Sequence, residues 1–169
     1  MRWFENEKIP HEVIDKAVEV TSLSPCACNR QPYRFMIYDE TNMVKKLSAL
    51  PGRTNGYGDN IPVMIAVVGD LSACPFERDR HLIYIDASLA AMSFTFALEI
   101  QGVSSCIINW PDISKKEKQI NKLLNLKYYE KVIMLIGIGY PNKNGKVAYS
   151  KKKNLEHIRQ YNTKVVNVH

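Results

Sequence analysis

The 169-residue sequence predicts an α+β fold in a single domain. Segments with the 3.6-residue apolar spacing of helices are mixed with short, β-branched apolar runs typical of strands. No regular strand–helix–strand order requires a doubly wound sheet. No Gly-x-Gly-x-x-Gly motif follows a predicted strand, which argues against a Rossmann dinucleotide site. With 46% apolar and 24% charged residues, the chain can bury a sizeable core.

Helical spacing first appears near Pro10 and ends at Ser24-Pro25, since a residue before proline is pushed out of the helical region. A second helix is stopped by Pro51-Gly52, and a charged surface helix takes Ser114 as its N-cap. A last short helix is expected near the end of the chain. The predicted helices cover residues 10–22, 40–50, 79–100, 114–126 and 154–160.

The longest of these, Asp79 to Ile100, has almost no polar face and is capped by Gly102. A helix that is apolar all round is buried. In a chain of this size a second layer or a second subunit must cover it, so this helix favours a dimer.

Strand-forming residues predict four strands, at 33–38, 61–68, 103–108 and 131–140. The run from Ile61 to Val68 is apolar on both faces, as in a strand covered on both sides, and is expected to lie centrally in a sheet.

Charge and composition exclude several classes of function. The net charge of +6 divides into −4 for residues 1–114 and +10 for residues 115–169. Aromatic residues are not interleaved with Lys151 to Lys153, so this cluster is interpreted as a solvated face and no nucleic-acid partner is expected. The longest apolar runs that we identify, 61–68 and 132–138, are too short to span a bilayer, and the first residues lack a signal-like run. We therefore expect a cytoplasmic protein without a membrane partner.

The four cysteines are interpreted as free thiols. Cys26 and Cys28 form a Cys-x-Cys pair, but no second Cys or His pair has the spacing that a tetrahedral zinc site needs, so no metal is expected.

A ten-residue loop, Ser24 to Tyr33, carries the most specific residue pattern. Two prolines restrict its backbone, Ala27 keeps it thin, and Asn29 and Gln31 offer amide donors and acceptors. Such a loop suits close approach to a planar, hydrogen-bonding ring. The same residues also make ordinary turns, so from the residues alone both interpretations stay open.

The order of residues in this loop, Ser-Pro-Cys-x-x-Asn-x-Gln-Pro-Tyr-x-Phe, resembles the Pro-Ser-x-x-Asn-x-Gln-Pro-Trp-x-Phe loop of the nitroreductase family. Three further segments are similar to that family in the same order: its central dimer helix, the strand entry after the helix, and its late strand. They are residues 84–92, 102–106 and 136–141.

The resemblance implies an α+β homodimer with a mostly antiparallel central sheet flanked by helices and with the long helix at the dimer interface. Two FMN molecules would lie between the subunits, with NAD(P)H as the electron donor and a small molecule as the acceptor. The flavin would carry the chemistry at its N5 atom, so no side chain is expected to be catalytic.

Transferred by position, the resemblance implies which residues contact the flavin ring. Pro25, Cys26, Ala27, Asn29 and Gln31 would form the ring-contacting loop, with Cys26 in place of the usual Ser. The backbone of Asn109 and Trp110 would lie near N5; the alternative there is a simple turn between strand and helix.

The phosphate clamp implied by the resemblance is only partly present. Arg2 matches the last member of the family's N-terminal Arg-x-Ser-x-Arg/Lys motif, whose first Arg and Ser have no counterpart here, which predicts weaker phosphate binding. Lys151, Lys152 and Lys153 match its C-terminal cations. Arg53 would contact the pyrimidine edge and stabilise the reduced anionic flavin.

These features predict an FMN-dependent oxidoreductase acting on nitroaromatic, quinone-like or other small acceptors. Three alternatives stay open at this point. One is a family member that fragments flavin, removes halogens or oxidises peptide heterocycles. Another is a flavin-less or degenerate dimer, or a fragment of a longer enzyme. The last is nucleic-acid binding through the basic C-terminal third.

Overall fold

The computed structural model describes residues 1–52 and 54–162. In these residues the helices and strands follow one another in an irregular α+β order, joined by short 3-10 turns. The elements are α1 (His11–Thr21), β1 (Tyr33–Tyr38), α2 (Thr41–Ala49), β2 (Val63–Asp70), α3 (Leu82–Ile100), β3 (Ser104–Asn109), α4 (Ser114–Leu124) and β4 (Glu130–Gly139).

The four strands form one sheet in the order β1-β2-β4-β3, and all neighbours are antiparallel. The two central strands are β2 and β4, and β2 is buried from Val63 to Gly69. This confirms the prediction of a central strand, with bounds shifted from 61–68. The hydrogen-bonded ladder starts at Val63 because the preceding Pro62 has no N–H to donate.

Helices cover both faces of the sheet. The core between the sheet and α1 with α3 contains Ile65, Ile136 and Phe94, and the core between the sheet and α2 with α4 contains Leu47 and Leu135. The predicted sheet flanked by helices is therefore confirmed.

The long helix α3 is buried on one side and exposed on the other. Together with the turn before it, α3 forms a 24-residue span, Glu77–Ile100, that is long and apolar enough to cross a membrane. Half of the apolar span is buried, however, and it packs against α1 and the sheet. We interpret α3 as a core helix. Its exposed side carries a row of large apolar residues at helical spacing: Ile85, Leu89, Met92, Phe96 and Ile100.

The end of α3 confirms the predicted glycine cap. Gly102 has a φ of +78°, its N–H donates to Glu99 O, and the next N–H, from Val103, donates to Leu98 O. This is the Schellman arrangement, in which a left-handed residue satisfies the last helical carbonyls.

Two helix predictions were wrong. The N-cap of α4 is Ile113 rather than Ser114, which is already the first helical residue, and the Ile113 side chain cannot accept a capping hydrogen bond. The segment 154–160 forms only a 3-10 turn, Leu155–His157. Leu155 and Ile158 are exposed, so this segment lacks the packed apolar face on which a short helix depends.

Candidate functional site

The loop between α1 and β1 is attached to α3 through one carboxylate. Asp86 Oδ2 accepts hydrogen bonds from the Cys26 thiol (3.1 Å) and from the Ala27 N–H (3.2 Å). The N–H of Gln31 in turn donates to Cys26 Sγ (2.9 Å). The Cys26 thiol is therefore a donor to Asp86 and an acceptor from Gln31, so both ends of the turn are fixed.

Three residues of this loop have left-handed backbones although none is glycine. The φ angles are 52° for Cys28, 54° for Asn29 and 47° for Gln31. Each such residue costs about 1–2 kcal/mol relative to a right-handed conformation, less for Asn. The surrounding contacts must offset this strain. Besides the bonds to Asp86, the Gln31 side-chain amide donates to Asn29 Oδ1 (2.9 Å).

An ion pair and a hydroxyl pair hold the two flanks of the loop. Arg30 contacts Asp79, just before α3, at 2.9 Å. Ser24 Oγ donates to Ser93 Oγ of α3 at 2.7 Å. The loop is thus folded by polar contacts to a rigid helix, which is a suitable platform for a binding surface.

The environment of Cys26 keeps it as a thiol. Burial raises the pKa of Cys26, and the hydrogen bond to Asp86 and the charge of that carboxylate raise it further. The pKa of Tyr33 is raised too, first by burial and then by Cys26 and Asp86. Because Cys26 stays protonated near neutral pH, it can donate to Asp86 as a serine hydroxyl would.

Arg2 lies at the opposite end of the sheet from this loop. The N-terminal segment is fixed there because Phe4 pairs with Pro141, and because Asn60 Nδ2 donates to Phe4 O (3.0 Å) and Asn60 Oδ1 accepts from Phe4 N (2.6 Å). Gly139 makes room for the Phe4 ring, since a Cβ on Gly139 would meet it at 2.7 Å.

The guanidinium of Arg2 lies over the Tyr57 ring, 5.1 Å from its centroid. Tyr57 is partly buried beside Cys106 of β3, and burial raises its pKa. Arg2 itself is exposed. The stacking orients a cation at the surface, where it can meet an anion.

The length of α3 gives the distance between the Cys26 loop and the end of the sheet where Arg2 lies. At about 1.5 Å per residue, Asp86 lies about 24 Å along the helix axis from Gly102. Ser104, two residues after Gly102, pairs with Gly139 at the end of the sheet where Arg2 lies. The Cys26 loop and Arg2 therefore cannot meet the same small group by close contact within one chain.

The remaining predicted site residues are less closely connected. Asn109 is the exposed last residue of β3, whereas Trp110 is only 7% exposed and its indole N–H donates to Glu117 Oε1 (2.5 Å). The Trp110 ring therefore belongs to the core, and of these two residues Asn109 is the one open to a ligand. The three consecutive lysines, Lys151 to Lys153, are exposed in a segment without helix or strand. Arg53 lies outside the described residues.

Sequence reasoning missed Asp86 and Tyr57, which hold the loop and Arg2. A signal existed for Asp86, because it is the one charged residue between Leu82 and Leu98 of an otherwise apolar helix. A charge in that setting must be satisfied by specific donors. Nothing in the sequence around Tyr57 indicates its contact with Arg2.

Two surface pockets in the described part of the chain are formed without the Cys26 loop and without Arg2. One, of about 400 Å³, lies beside the first turn of α3 and includes His81, Tyr84 and Lys131. The other, of about 740 Å³, lies between residues 5–9 and α2. Within the loop, Cys28, Asn29 and Gln31 are exposed, whereas Cys26 and Ala27 are partly buried.

This fold, with its antiparallel sheet between two helical layers, a long half-covered central helix and a polar loop attached to it, defines a nitroreductase-like α+β protein. The chain matches the nitroreductase family over residues 1–55 and 51–140. It therefore belongs to the nitroreductase family, a family of oxidoreductase enzymes.

Curated relatives extend the similarity over most of the chain. An iodotyrosine deiodinase of Hydra vulgaris is 24% identical over 94% of this chain and 67% of its own length. A protein of Archaeoglobus fulgidus named "Putative NADH dehydrogenase/NAD(P)H nitroreductase" is 25% identical over 83% of this chain and 79% of its own. The chain spans about two thirds of the length of the deiodinases it matches.

Solved structures have the same fold. An FMN-dependent nitroreductase from Clostridium difficile R20291 superposes with a TM-score of 0.80 at 21% sequence identity, covering 96% of this chain and 94% of that one. At this identity the similarity establishes the fold, and it agrees with the family assignment.

Proposed function

We propose that this protein is an FMN-dependent oxidoreductase that transfers hydride from NAD(P)H to a small acceptor such as a nitroaromatic or quinone-like compound. The observation that carries the proposal is the loop from Cys26 to Gln31, held in a strained, left-handed conformation on the surface of α3. Strain of this kind concentrates at binding sites. The family membership and the FMN-dependent structural neighbour support the same conclusion.

The residues present fit FMN in their chemistry. The exposed amides of Asn29 and Gln31 match the donors and acceptors of a flavin ring, and Pro25, Cys26 and Ala27 shape the loop that presents them. Asn109 is exposed, so its backbone is proposed to approach the ring, and Trp110 follows it in the core. Bound FMN would supply the redox chemistry by accepting a hydride and passing it on.

Cations for the phosphate are available at two places. The guanidinium of Arg2, oriented by Tyr57, offers charge-assisted hydrogen bonds. We assign Lys151, Lys152 and Lys153 to the same phosphate, and Arg53 to the pyrimidine edge. These assignments follow from the family motif, and each is testable by substitution.

We further propose that the active form is a homodimer in which each flavin contacts both subunits. The exposed apolar row on α3 needs a cover, and a twofold axis would place this row against its own copy. The segment after β4 also exposes Val147, Tyr149 and Ile158. The separation between the Cys26 loop and Arg2 is accounted for if one subunit contributes the loop and its partner the cation.

Absorbance spectroscopy tests this proposal directly. The protein, purified and then incubated with excess FMN and desalted, is expected to retain a yellow chromophore, and anaerobic NADH or NADPH is expected to bleach it. Adding a nitroaromatic or a quinone should restore the oxidised spectrum. A protein that retains no FMN, or whose bound FMN neither nucleotide reduces, would refute the function. We place this reaction in the cytoplasm.

The deiodinase similarity favours a second candidate function, the reductive removal of halogen from an aromatic substrate. That similarity covers 94% of the chain. Anaerobic, dithionite-reduced holoprotein is mixed with a halogenated tyrosine, and released halide is measured. Halide release coupled to flavin reoxidation would support dehalogenation. A reduced flavin that a nitroaromatic reoxidises rapidly, but that releases no halide from the halogenated tyrosine, would exclude it.

A further inference from the structure

Asp86 is an unusual residue for its position. It lies in the apolar stretch of α3 and is only 2% exposed, and no ion pair to it occurs among residues 1–52 and 54–162. A buried carboxylate without a cation is unfavourable unless hydrogen-bond donors surround it. Both donors that reach its Oδ2 come from one loop, namely the Cys26 thiol and the Ala27 N–H.

The contacts of Asp86 extend across the whole turn. Asp86 fixes Cys26, and Cys26 Sγ accepts the N–H of Gln31, so the carboxylate, the thiol and the amide form one continuous chain of hydrogen bonds. The left-handed residues Cys28 and Asn29 lie inside the loop that this chain closes. Charge-assisted bonds are stronger than neutral ones, which suits Asp86 to offset backbone strain.

We infer that Asp86 is a positioning residue, which clamps the loop from Cys26 to Gln31 in the conformation that presents the Asn29 and Gln31 amides to the flavin. The role toward flavin rests on the proposed function. The clamp itself rests only on the contacts within this chain. Asp86 lies beneath the loop and acts through Cys26 and Ala27.

The Ser24–Ser93 bond at the start of the loop does not involve Asp86, so it should remain when Asp86 is changed. Arg30 lies inside the turn from Cys26 to Gln31, where its guanidinium pairs with Asp79, and this pair should open more often once the turn loses Asp86. Loss of Asp86 should therefore loosen the turn and expose Arg30, while the start of the loop stays attached to α3.

The test compares Asp86→Ala, which removes the acceptor, with Asp86→Asn, which keeps an acceptor oxygen and removes the charge. Glu99→Gln is the matched control, because Glu99 is also on α3 and, among the residues that the structure describes, its carboxylate accepts a hydrogen bond only from the Ser104 hydroxyl, away from the loop. Two readouts are measured on each full-length protein: the FMN dissociation constant, and the rate of trypsin cleavage after Arg30.

Cleavage after Lys153, in the exposed C-terminal segment, serves as an internal reference for the protease. We expect Asp86→Ala to speed cleavage after Arg30 at least tenfold relative to that reference and to raise the FMN dissociation constant at least tenfold. Asp86→Asn should give a smaller change of both, and Glu99→Gln none. Should Asp86→Ala fail to fold, the same comparison is made with Asp86→Asn.

The outcomes separate this inference from the proposed function. Wild-type protein that binds no FMN refutes the proposed function, while the cleavage rates still test the clamp. Wild-type cleavage rates in folded Asp86 variants overturn the clamp. Faster cleavage with unchanged FMN affinity overturns the positioning role toward flavin.

Discussion

Replacing Phe96 by glutamate is expected to convert the proposed dimer into a monomer. Phe96 is 59% exposed and lies in the apolar row on α3, between Met92 and Ile100. For an aromatic side chain of about 200 Å², covering that fraction would bury about 120 Å² in each copy. At about 25 cal/mol per Å², this is about 3 kcal/mol per copy and about 6 kcal/mol per dimer, because a twofold interface contains each residue twice.

A loss of this size weakens dimerisation by about four orders of magnitude. Sedimentation velocity over a range of protein concentrations measures it, with circular dichroism to confirm that the helices are retained. Tyr128→Ser is the matched control, because Tyr128 is 96% exposed but lies in the turn before β4. Phe96→Glu protein that sediments as a dimer at the wild-type concentration would show that this face of α3 is not the interface.

Three further perturbations test other parts of the structure. Arg2→Gln is expected to weaken FMN binding about 10- to 150-fold, because it removes one charge-assisted hydrogen bond of about 1.5–3 kcal/mol. Quenching of flavin fluorescence measures the affinity. An unchanged affinity would show that Arg2 does not bind the phosphate. Burial is the largest cause of the raised pKa of Cys26, and the hydrogen bond to Asp86 and the charge of that carboxylate raise it further. Asp86→Asn removes that charge and weakens that bond, so the rate of Cys26 alkylation, followed by site-resolved mass spectrometry, should reach its midpoint at lower pH than in the wild type. An unshifted or rising midpoint contradicts the contribution assigned to Asp86. Gly139→Ala places a Cβ against Phe4 and should lower the free energy of unfolding by about 1–3 kcal/mol in urea titrations, whereas an unchanged midpoint would mean that the N-terminal segment moves aside freely.

Local patterns predicted much of the fold. The strand Tyr33–Tyr38 and the glycine cap after α3 were predicted correctly because each depends on residues adjacent in sequence. Which side of α3 is buried was harder to predict. Its sequence is apolar all round, so only the packing against α1 and the sheet decides which side, such as that of Phe96, is left exposed.

The sequence predicted where the candidate site lies, but not the contacts that hold its loop in place. The order of residues from Cys26 to Gln31 predicted a binding loop through its resemblance to a family. The partner that holds it, Asp86, is 60 residues away in sequence, so no local pattern could pair them. The left-handed backbone of Cys28 was also not predictable, because it is stabilised by that distant contact and not by an intrinsic preference of cysteine.

The strand order has a consequence for synthesis on the ribosome. β4 (Glu130–Gly139) is the strand that joins β2 to β3, so until it has been made the nascent chain carries β2 with one open edge and β3 without a neighbour. Open strand edges pair readily with other chains. More than half of the chain is therefore synthesised before the sheet can be completed by β4. During that interval, chaperones that cover exposed β edges should have most effect on the yield of folded protein.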